Sequence, residues 1–581
     1  MAIISSFNSQ ISVLTILLVF LSTKSSSTSS CITDHFIQCL NNRSDPSFPI
    51  AGLIFTPGNS SFPSVLQTYI RNLRFNKSTT PKPILIITAK HVSHIQAAIM
   101  CGKESRLLMK TRSGGHDLEG LSYVTNTKEP FFIVDMFNFR SINVDIEQET
   151  AWVQAGAILG EVYYRIAEKS NTHGFPAGIC PTVGVGGYIS GGGWGTMLRK
   201  YGLSVDNVVD AQVIDVNGKL LNRKSMGEDL FWAITGGGGA SFGVVLAYKL
   251  KLVRVPEVVT AFRIQRTSEQ NLSTIAHRWT QVADKLDNNL FLRMVLSTIN
   301  NTNGEKTIRG TFITLYLGNS MNLVTLLNKD FPELGLQKSD CIEMSWIESV
   351  IYYMNFPIGT PTTVLLNRTL RFSNGPSKTK SDYLKNPISK QGFEFIFDRM
   401  KELENVMMAF NPYGGRMSEI SEFAKPFPHR SGNIAKIHYL TIWEEHGIKA
   451  ENRYLNYTRM MYDYMTPFVS KNPREAFYNY RDLDIGVNSH GSNASIEGMV
   501  YGHKYFKETN YKRLVRVKAR VDPCNFFRNE QSILTSKICK VPWLHTHSFS
   551  TWKTLKYLLI SGGLNREWVW WWCDFGLVAN G

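Results

Sequence analysis

The sequence predicts an α+β protein made of two large domains or one interleaved pair. Three observations carry that expectation. A chain of 581 residues is too long for one ordinary hydrophobic core. Before about residue 258, short β-branched runs are separated by glycine-rich loops. From about 259 to 475, helical stretches alternate with longer strands, the pattern of a mostly antiparallel sheet with helices laid on it.

The elements follow in order. Residues 11–21 form an apolar run of signal-peptide length, and mostly small residues follow to Ser30, so residues 1–30 read as a cleavable leader. The run is too short to span a bilayer, and no Lys or Arg precedes it. Residues 83–88 (PILIIT) read as a buried strand, 91–101 as a helix, and 131–135 (FFIVD) and 151–155 as further strands. Strands are also expected at 210–215 and 243–253, where Val255-Pro256 closes the region. Beyond it, helices are expected at 269–285 and 392–408, and strands at 291–297, 308–317 and 436–443. A helix over 501–521 precedes Asp522-Pro523. From Leu534 the composition changes, and four tryptophans fall within Trp568 to Trp572; residues 534–581 read as an atypical tail.

Composition excludes several classes. The apolar share is 43% and the charged share 19%, which is globular. There is no Lys/Arg run of nucleic-acid type, no C-x-x-C pair and no H-E-x-x-H, so nucleic acid and a metal site are not expected. The net charge of +16 means a solvated basic surface or attraction to an acidic matrix. N-x-S/T triplets at Asn42, Asn59, Asn76, Asn271, Asn300, Asn367, Asn456 and Asn493 support export. Spacing alone does not pair the eight cysteines.

Three glycine-rich segments need a reason. One is Arg112-Ser113-Gly114-Gly115-His116-Asp117, the second runs from Gly178 through Cys180 to Gly195, and the third is Gly236 to Gly239. None is a dinucleotide fingerprint, since Ile189 stands where a third glycine is wanted after Gly184 and Gly186. Dense glycine does let backbone N–H groups approach a diphosphate together. His116 supplies an imidazole and Cys180 a thiol, and both kinds of group can form a covalent bond to an isoalloxazine ring.

The segments RSGGHDLEG, GICPTVGVGGYISGGGWG, DLFWAITGGGGASFGVV, NYRDLDIG and NFFRNEQSI, in this order, resemble the plant berberine-bridge-enzyme-like flavoproteins from about Cys31 to Ile533. The resemblance implies a vanillyl-alcohol-oxidase/PCMH-type FAD fold. Residues 31–258 and 476–533 would form the FAD domain and 259–475 an α+β substrate domain on an antiparallel sheet. It implies a Cys39–Cys101 disulfide. It also implies bicovalent FAD, joined to His116 at 8α and to Cys180 at position 6, and contacted by Arg112, Ser113, Gly114, Gly115, Asp117, Gly184, Gly187, Gly191, Gly243 and Val244.

On the substrate side the resemblance makes Tyr480 the residue that helps deprotonate the substrate. A phenol needs a cationic neighbour to do so near neutrality, and Lys436 is the candidate. Period two places His438 on the same strand face as Lys436, where the family often has Gln or Glu; it is either a general base or a hydrogen-bonding replacement. Leu118 and Trp194 stand in the substrate pocket where tyrosine, or tyrosine or phenylalanine, is usual, and Thr235 replaces a usual arginine. Val183 resembles the oxygen-reactive members. The expected protein is a secreted, monomeric FAD oxidase of the cell wall that yields hydrogen peroxide. It would act on a small-molecule substrate, a carbohydrate first and a monolignol-type alcohol next, with an acidic wall polysaccharide as a possible partner. The alternatives are a catalytically silent flavin-bearing storage protein and an alkaloid ring-closing oxidase.

Overall fold

The computed structural model describes residues 31–371, 375–489, 491 and 494–535. The leader at 1–30, the sequon Asn493 and the tail beyond residue 535 lie outside the described residues.

The chain first builds a four-stranded sheet in the order Ile54–Phe55, Ile86–Thr88, Phe131–Asp135, Leu108–Arg112, its last three strands parallel. FFIVD is buried along its whole length because it is covered on both sides. Phe132 and Val134 share a core with Ile95, Ala98 and Ile99 of the helix Val92–Glu104. Phe131 and Ile133 point the other way, toward Phe62 and Leu66 of the helix Phe62–Gln67. A five-stranded antiparallel sheet follows, in the order Ile142–Asp145, Thr150–Gln154, Val244–Lys251, Val208–Ile214, Leu220–Leu221.

Cys39 and Cys101 are joined by a disulfide, their Cα atoms 5.9 Å apart. The bond closes a loop of 62 residues between a helix over residues 31–43 and the helix Val92–Glu104. Chain-entropy arguments put such a cross-link at about 4 kcal/mol. Reduction, or Cys101→Ser, is therefore expected to lower the thermal midpoint by several degrees, read by scanning calorimetry.

The second half is a seven-stranded antiparallel sheet, ordered Ile342–Met344, Val259–Thr267, Lys306–Tyr316, Leu290–Asn300, Val406–Pro412, Ala435–Ile442, Ser377–Leu384. One face is apolar. Phe262, Met294, Phe312, Phe410 and Ile437 pack with the helices Leu272–Val282, Lys390–Leu403 and Ile448–Tyr464. The other face carries a row of basic side chains: Arg263 and Arg293 both pair across Ile313, and Lys436 lies opposite Asn411.

One expectation is corrected. The helix predicted over 392–408 ends at Leu403, and Val406–Pro412 is an inner strand. Glu404 and Asn405 turn the chain with φ of 40° and 49°, a conformation that ends a helix. The apolar run Val406-Met407-Met408-Ala409-Phe410 fits a buried strand as well as a helix. Among the strands that carried no clear sequence signal, the longest are Leu108–Arg112, Val259–Thr267 and Ser377–Leu384. The last reads SKTKSDYL and is buried nonetheless.

The chain then returns to its beginning. The helix Ala494–Val521 starts earlier than expected and is broken at Lys507, where φ is 54°. Phe526 and Phe527 enter the core of the first sheet beside Phe132 and Met109. Among the described residues no helix is long and apolar enough to cross a membrane.

Candidate active site

A cavity of about 390 Å³ lies where the two glycine-rich loops meet the segment 477–481. Both predicted tethers line it. The loops touch through glycine: a Cβ on Gly114 would come 2.4 Å from the Gly184 nitrogen, and one on Gly184 would meet Ser113 Oγ at 2.1 Å. That approach brings His116 and Cys180 onto one hydroxyl. Thr182 Oγ1 lies 3.0 Å from His116 Nε2 and 3.7 Å from Cys180 Sγ. Burial, with Arg71 adding to it, holds His116 neutral with its pKa lowered to about 3. Burial raises the Cys180 thiol, and Thr182 and Arg71 pull it back toward the thiolate.

The walls fit a flavin dinucleotide. Among the described residues, no protein acceptor takes the backbone N–H of Gly114, Gly115 or His116. A Cβ on Gly187 would meet nothing within 4 Å, so the cavity reaches the backbone there. Arg481 lines the cavity; among the described residues its hydrogen bonds go to the neutral Asn529 Oδ1 and Tyr478 Oη, with the Asp117 and Glu530 carboxylates acting on it from further off, and a guanidinium there suits a diphosphate. Asp117 Oδ1 accepts from the Glu119 and Leu121 N–H groups and sets the turn behind His116.

Tyr480 closes the cavity on the substrate side. The ring of His438 stacks on it at 4.2 Å, and Lys436 Nζ sits 4.2 Å over its face. Lys436 Nζ is also 4.2 Å from the Phe477 ring and 4.4 Å from that of Trp194. Lys436 is fully buried, without a hydrogen-bond partner, and burial with Arg293 pushes it well below the ordinary lysine value. Burial raises the Tyr480 phenol to about 12, and Arg293 is the cation that opposes the rise. Arg293 was absent from the sequence reading, and only the register of the sheet places it there. His438 is held well below 6.5 by burial and by Lys436, so the imidazole is neutral.

A model for a FAD binding domain matches residues 83–223, and one described as berberine and berberine like matches 476–534. The Arabidopsis thaliana protein berberine bridge enzyme-like 8 is 58% identical over 514 residues, 87% of this chain and 96% of that one. The chain belongs to the berberine-bridge-enzyme-like family of FAD-linked oxidoreductases. Berberine bridge enzyme-like 21 of the same plant is 52% identical over 89% of this chain and 96% of its own. Among solved structures, BBE-like 28 of Arabidopsis thaliana superposes with a TM-score of 0.81 at 44% identity, covering 86% of this chain and 99% of that one. The pollen allergen Phl p 4, with the same TM-score at 42% identity and the same coverage, is described in its wild-type form as a glucose dehydrogenase and in an isoleucine-to-valine variant as a glucose oxidase.

Not every residue implicated by the family resemblance reaches the berberine-bridge-like cavity. Ser113, Gly114, Gly115, Asp117, Leu118, Val183, Gly184, Gly187, Trp194 and Gly243 line it. Arg112, Gly191, Val244, Lys436 and His438 are not part of that lining. The Arg112 guanidinium is spent on Asp135 and the carbonyls of Val65 and Leu66, which braces the His116 loop. Gly191 makes room for Asn479, whose Nδ2 would be 2.4 Å from a Cβ there. Asn479 accepts from the Gly193 N–H and donates to the Gly187 and Tyr188 carbonyls, holding the Cys180 loop against the Tyr480 segment. Thr235 donates to the Phe231 and Trp232 carbonyls, and Lys425 Nζ comes within 3.4 Å of it.

Proposed function

We propose that the protein is a secreted oxidase that removes a hydride from a hydroxyl-bearing carbon, foremost the anomeric carbon of a sugar or oligosaccharide. Dioxygen is the final acceptor and hydrogen peroxide the product. What supports the substrate class is the likeness, at 42% identity, to the pollen allergen Phl p 4, described as a glucose dehydrogenase or a glucose oxidase, together with polar groups that stand behind the lining residues Trp194 and Tyr480: among the described residues, Arg293 Nε, Lys436 Nζ and His438 Nε2 are buried without a partner. Each unsatisfied buried group costs about 1–3 kcal/mol, so a ligand that reaches these groups gains most by bringing several hydroxyls. An N-methyl alkaloid brings few. Trp194, which lines the cavity and is backed by the stack Trp194–Phe291–Tyr353 with centroids 5.6 and 6.4 Å apart, favours an aryl allylic alcohol as the second reading. Peroxide release measured across sugars, oligosaccharides and cinnamyl alcohols tests both readings. No peroxide and no flavin bleaching with any of them would leave a silent binding protein.

Bound FAD supplies a two-electron acceptor that dioxygen reoxidises. His116 and Cys180 are positioned to tether it at two points, and the free N–H groups of the His116 loop and Arg481 suit its phosphates. Trp194 and Phe477 form the wall on which a sugar or aryl face lies. The substrate hydroxyl proton passes to Tyr480 Oη, with the neutral His438 ring stacked on the phenol. Arg293 keeps the phenolate accessible, because a guanidinium stays charged where a buried amine does not. The pH dependence follows with its sign. The working form of Tyr480 is deprotonated and its pKa is raised to about 12, so flavin reduction is expected to rise with pH through the alkaline range and fall as pH drops. Arg293→Met moves that limb to higher pH. A profile flat above pH 7 and falling only in acid would make His438 the base instead.

Val183 lines the cavity with a small side chain. The two Phl p 4 forms support the idea that an isoleucine-to-valine exchange opens such a flavin to oxygen. Val183→Ile is expected to slow reoxidation by dioxygen about tenfold or more, roughly 1.4 kcal/mol on that barrier, while reduction by substrate changes little. Stopped-flow oxidation in air-saturated buffer reads the first step and anaerobic reduction the second.

Secretion fits the disulfide, and the surface agrees: Asn42, Asn59, Asn76, Asn271, Asn300, Asn367 and Asn456 are all exposed. Enzymatic deglycosylation of protein from a plant host is expected to lower its mass by several glycans. The net charge of +16 favours residence in an acidic wall.

A further inference from the structure

We infer that Lys378 is a positioning residue that locks the loop carrying His116 to the segment carrying Tyr480. The inference rests on the reading of His116 as the flavin loop and Tyr480 as the base. Lys378 belongs to neither loop. It sits on the edge strand Ser377–Leu384 of the seven-stranded sheet, and its ammonium reaches out of that sheet. There it meets a carboxylate from each loop: Glu119, three residues after His116, and Asp482, two residues after Tyr480, the latter at 2.7 Å. Asp484 Oδ2 is 3.3 Å away. The side chains of Lys378, Glu119 and Asp482 are 2%, 5% and 3% exposed, so water does not screen the contacts.

The surrounding charges give this ammonium a distinct place. Arg74 pairs with Glu119 and touches neither aspartate. Lys380, two residues along the strand, binds Asp482 and Asp484 but not Glu119. Arg459 closes the set on Asp484 at 2.8 Å. Among the described residues, Lys378 alone holds a carboxylate of each loop. The backbone repeats the link: Asn72 Nδ2 donates to the carbonyls of Leu118 and Ser377, each at 3.0 Å, and its Oδ1 accepts from the Ser377 N–H. Leu118 lines the cavity and directly precedes Glu119. The distance from flavin to Tyr480 is thereby set by a third element.

Hydride transfer depends steeply on that distance, and a misplacement of about 1 Å costs about 10²-fold in rate. Lys378→Met keeps the stem and removes the charge. The expected result is a kcat lowered about 10²-fold with KM within about threefold, and a changed visible circular dichroism of the bound flavin. Lys378→Arg recovers most of the rate. Lys380→Met also removes a buried cation, but one that serves a single loop; it leaves the flavin dichroism as in the unmodified protein and lowers kcat much less.

A folded Lys378→Met protein with unaltered kcat and dichroism would overturn the proposal. So would a Lys380→Met protein that matches it in both. Should Lys378→Met not fold, Glu119→Gln, Asp482→Asn and their double variant decide. A single lock predicts that the double variant is scarcely slower than the worse single one, and effects that simply multiply contradict it. The dichroism needs bound flavin and no substrate, so it still decides if no sugar or alcohol bleaches the flavin, an outcome that would sink the functional reading alone.

Discussion

Tyr480→Phe is expected to lower the first-order rate of anaerobic flavin reduction about 10³-fold, within the 10²–10⁴ range of a positioned general base. The substitution removes one oxygen and keeps the ring, so the stack on His438 at 4.2 Å and the contact with Lys436 survive. What is lost is the atom that takes the substrate proton. Substrate affinity is expected to change little, since Trp194 and Phe477 still line the cavity. The alkaline rise in rate should vanish with the phenol. Rapid-mixing reduction of enzyme-bound flavin, followed at its visible band across pH, reads all three effects. A Tyr480→Phe enzyme that keeps its rate would move the base off Tyr480, and a limb found only in acid would place it at His438.

Removing both proposed tethers is the second large effect. In a His116→Ala/Cys180→Ala variant, flavin should be released by acid denaturation, and the reduction potential of what remains bound should fall. Each 30 mV of a two-electron couple is worth about 1.4 kcal/mol, or tenfold, so a fall of about 60 mV slows reduction by up to about 10²-fold. The single variants separate the bonds. His116 is neutral at any working pH, a nucleophile that needs no deprotonation. The Cys180 thiol is raised by burial, and thiolate is its reactive form, so attachment at Cys180 should quicken with pH and attachment at His116 should not. Mass spectrometry of apoprotein incubated with FAD over a pH series reads that contrast.

The glycine-rich motifs announced the site because its chemistry is local in sequence. RSGGH and GICPTVG each carry a reactive side chain beside the glycines that let the loops touch, and Gly114 and Gly184 do meet. FFIVD was readable as a strand because a sheet buried on both faces demands a continuous apolar run. Arg293 was invisible for the opposite reason. Nothing in LFLRMVLST singles out its arginine, and only the register opposite Ile313 sets it on the face that meets Trp194 and Tyr480. SKTKSDYL failed as a strand for a related cause: its lysines look like solvated charges, yet carboxylates from two distant loops neutralise them inside the protein. The run from Lys390 to Pro412 was divided wrongly because a short apolar strand after an amphipathic helix continues the helical pattern until a backbone reversal, here at Glu404 and Asn405, interrupts it.

The account depends most on a flavin bonded to two loops at once. Tryptic digestion of the purified yellow protein, followed by mass analysis of the peptides containing His116 and Cys180, tests it most directly. The expected product is a single species in which both peptides are linked through one FAD. Two unmodified peptides, with all the pigment freed into the acid supernatant, would contradict it.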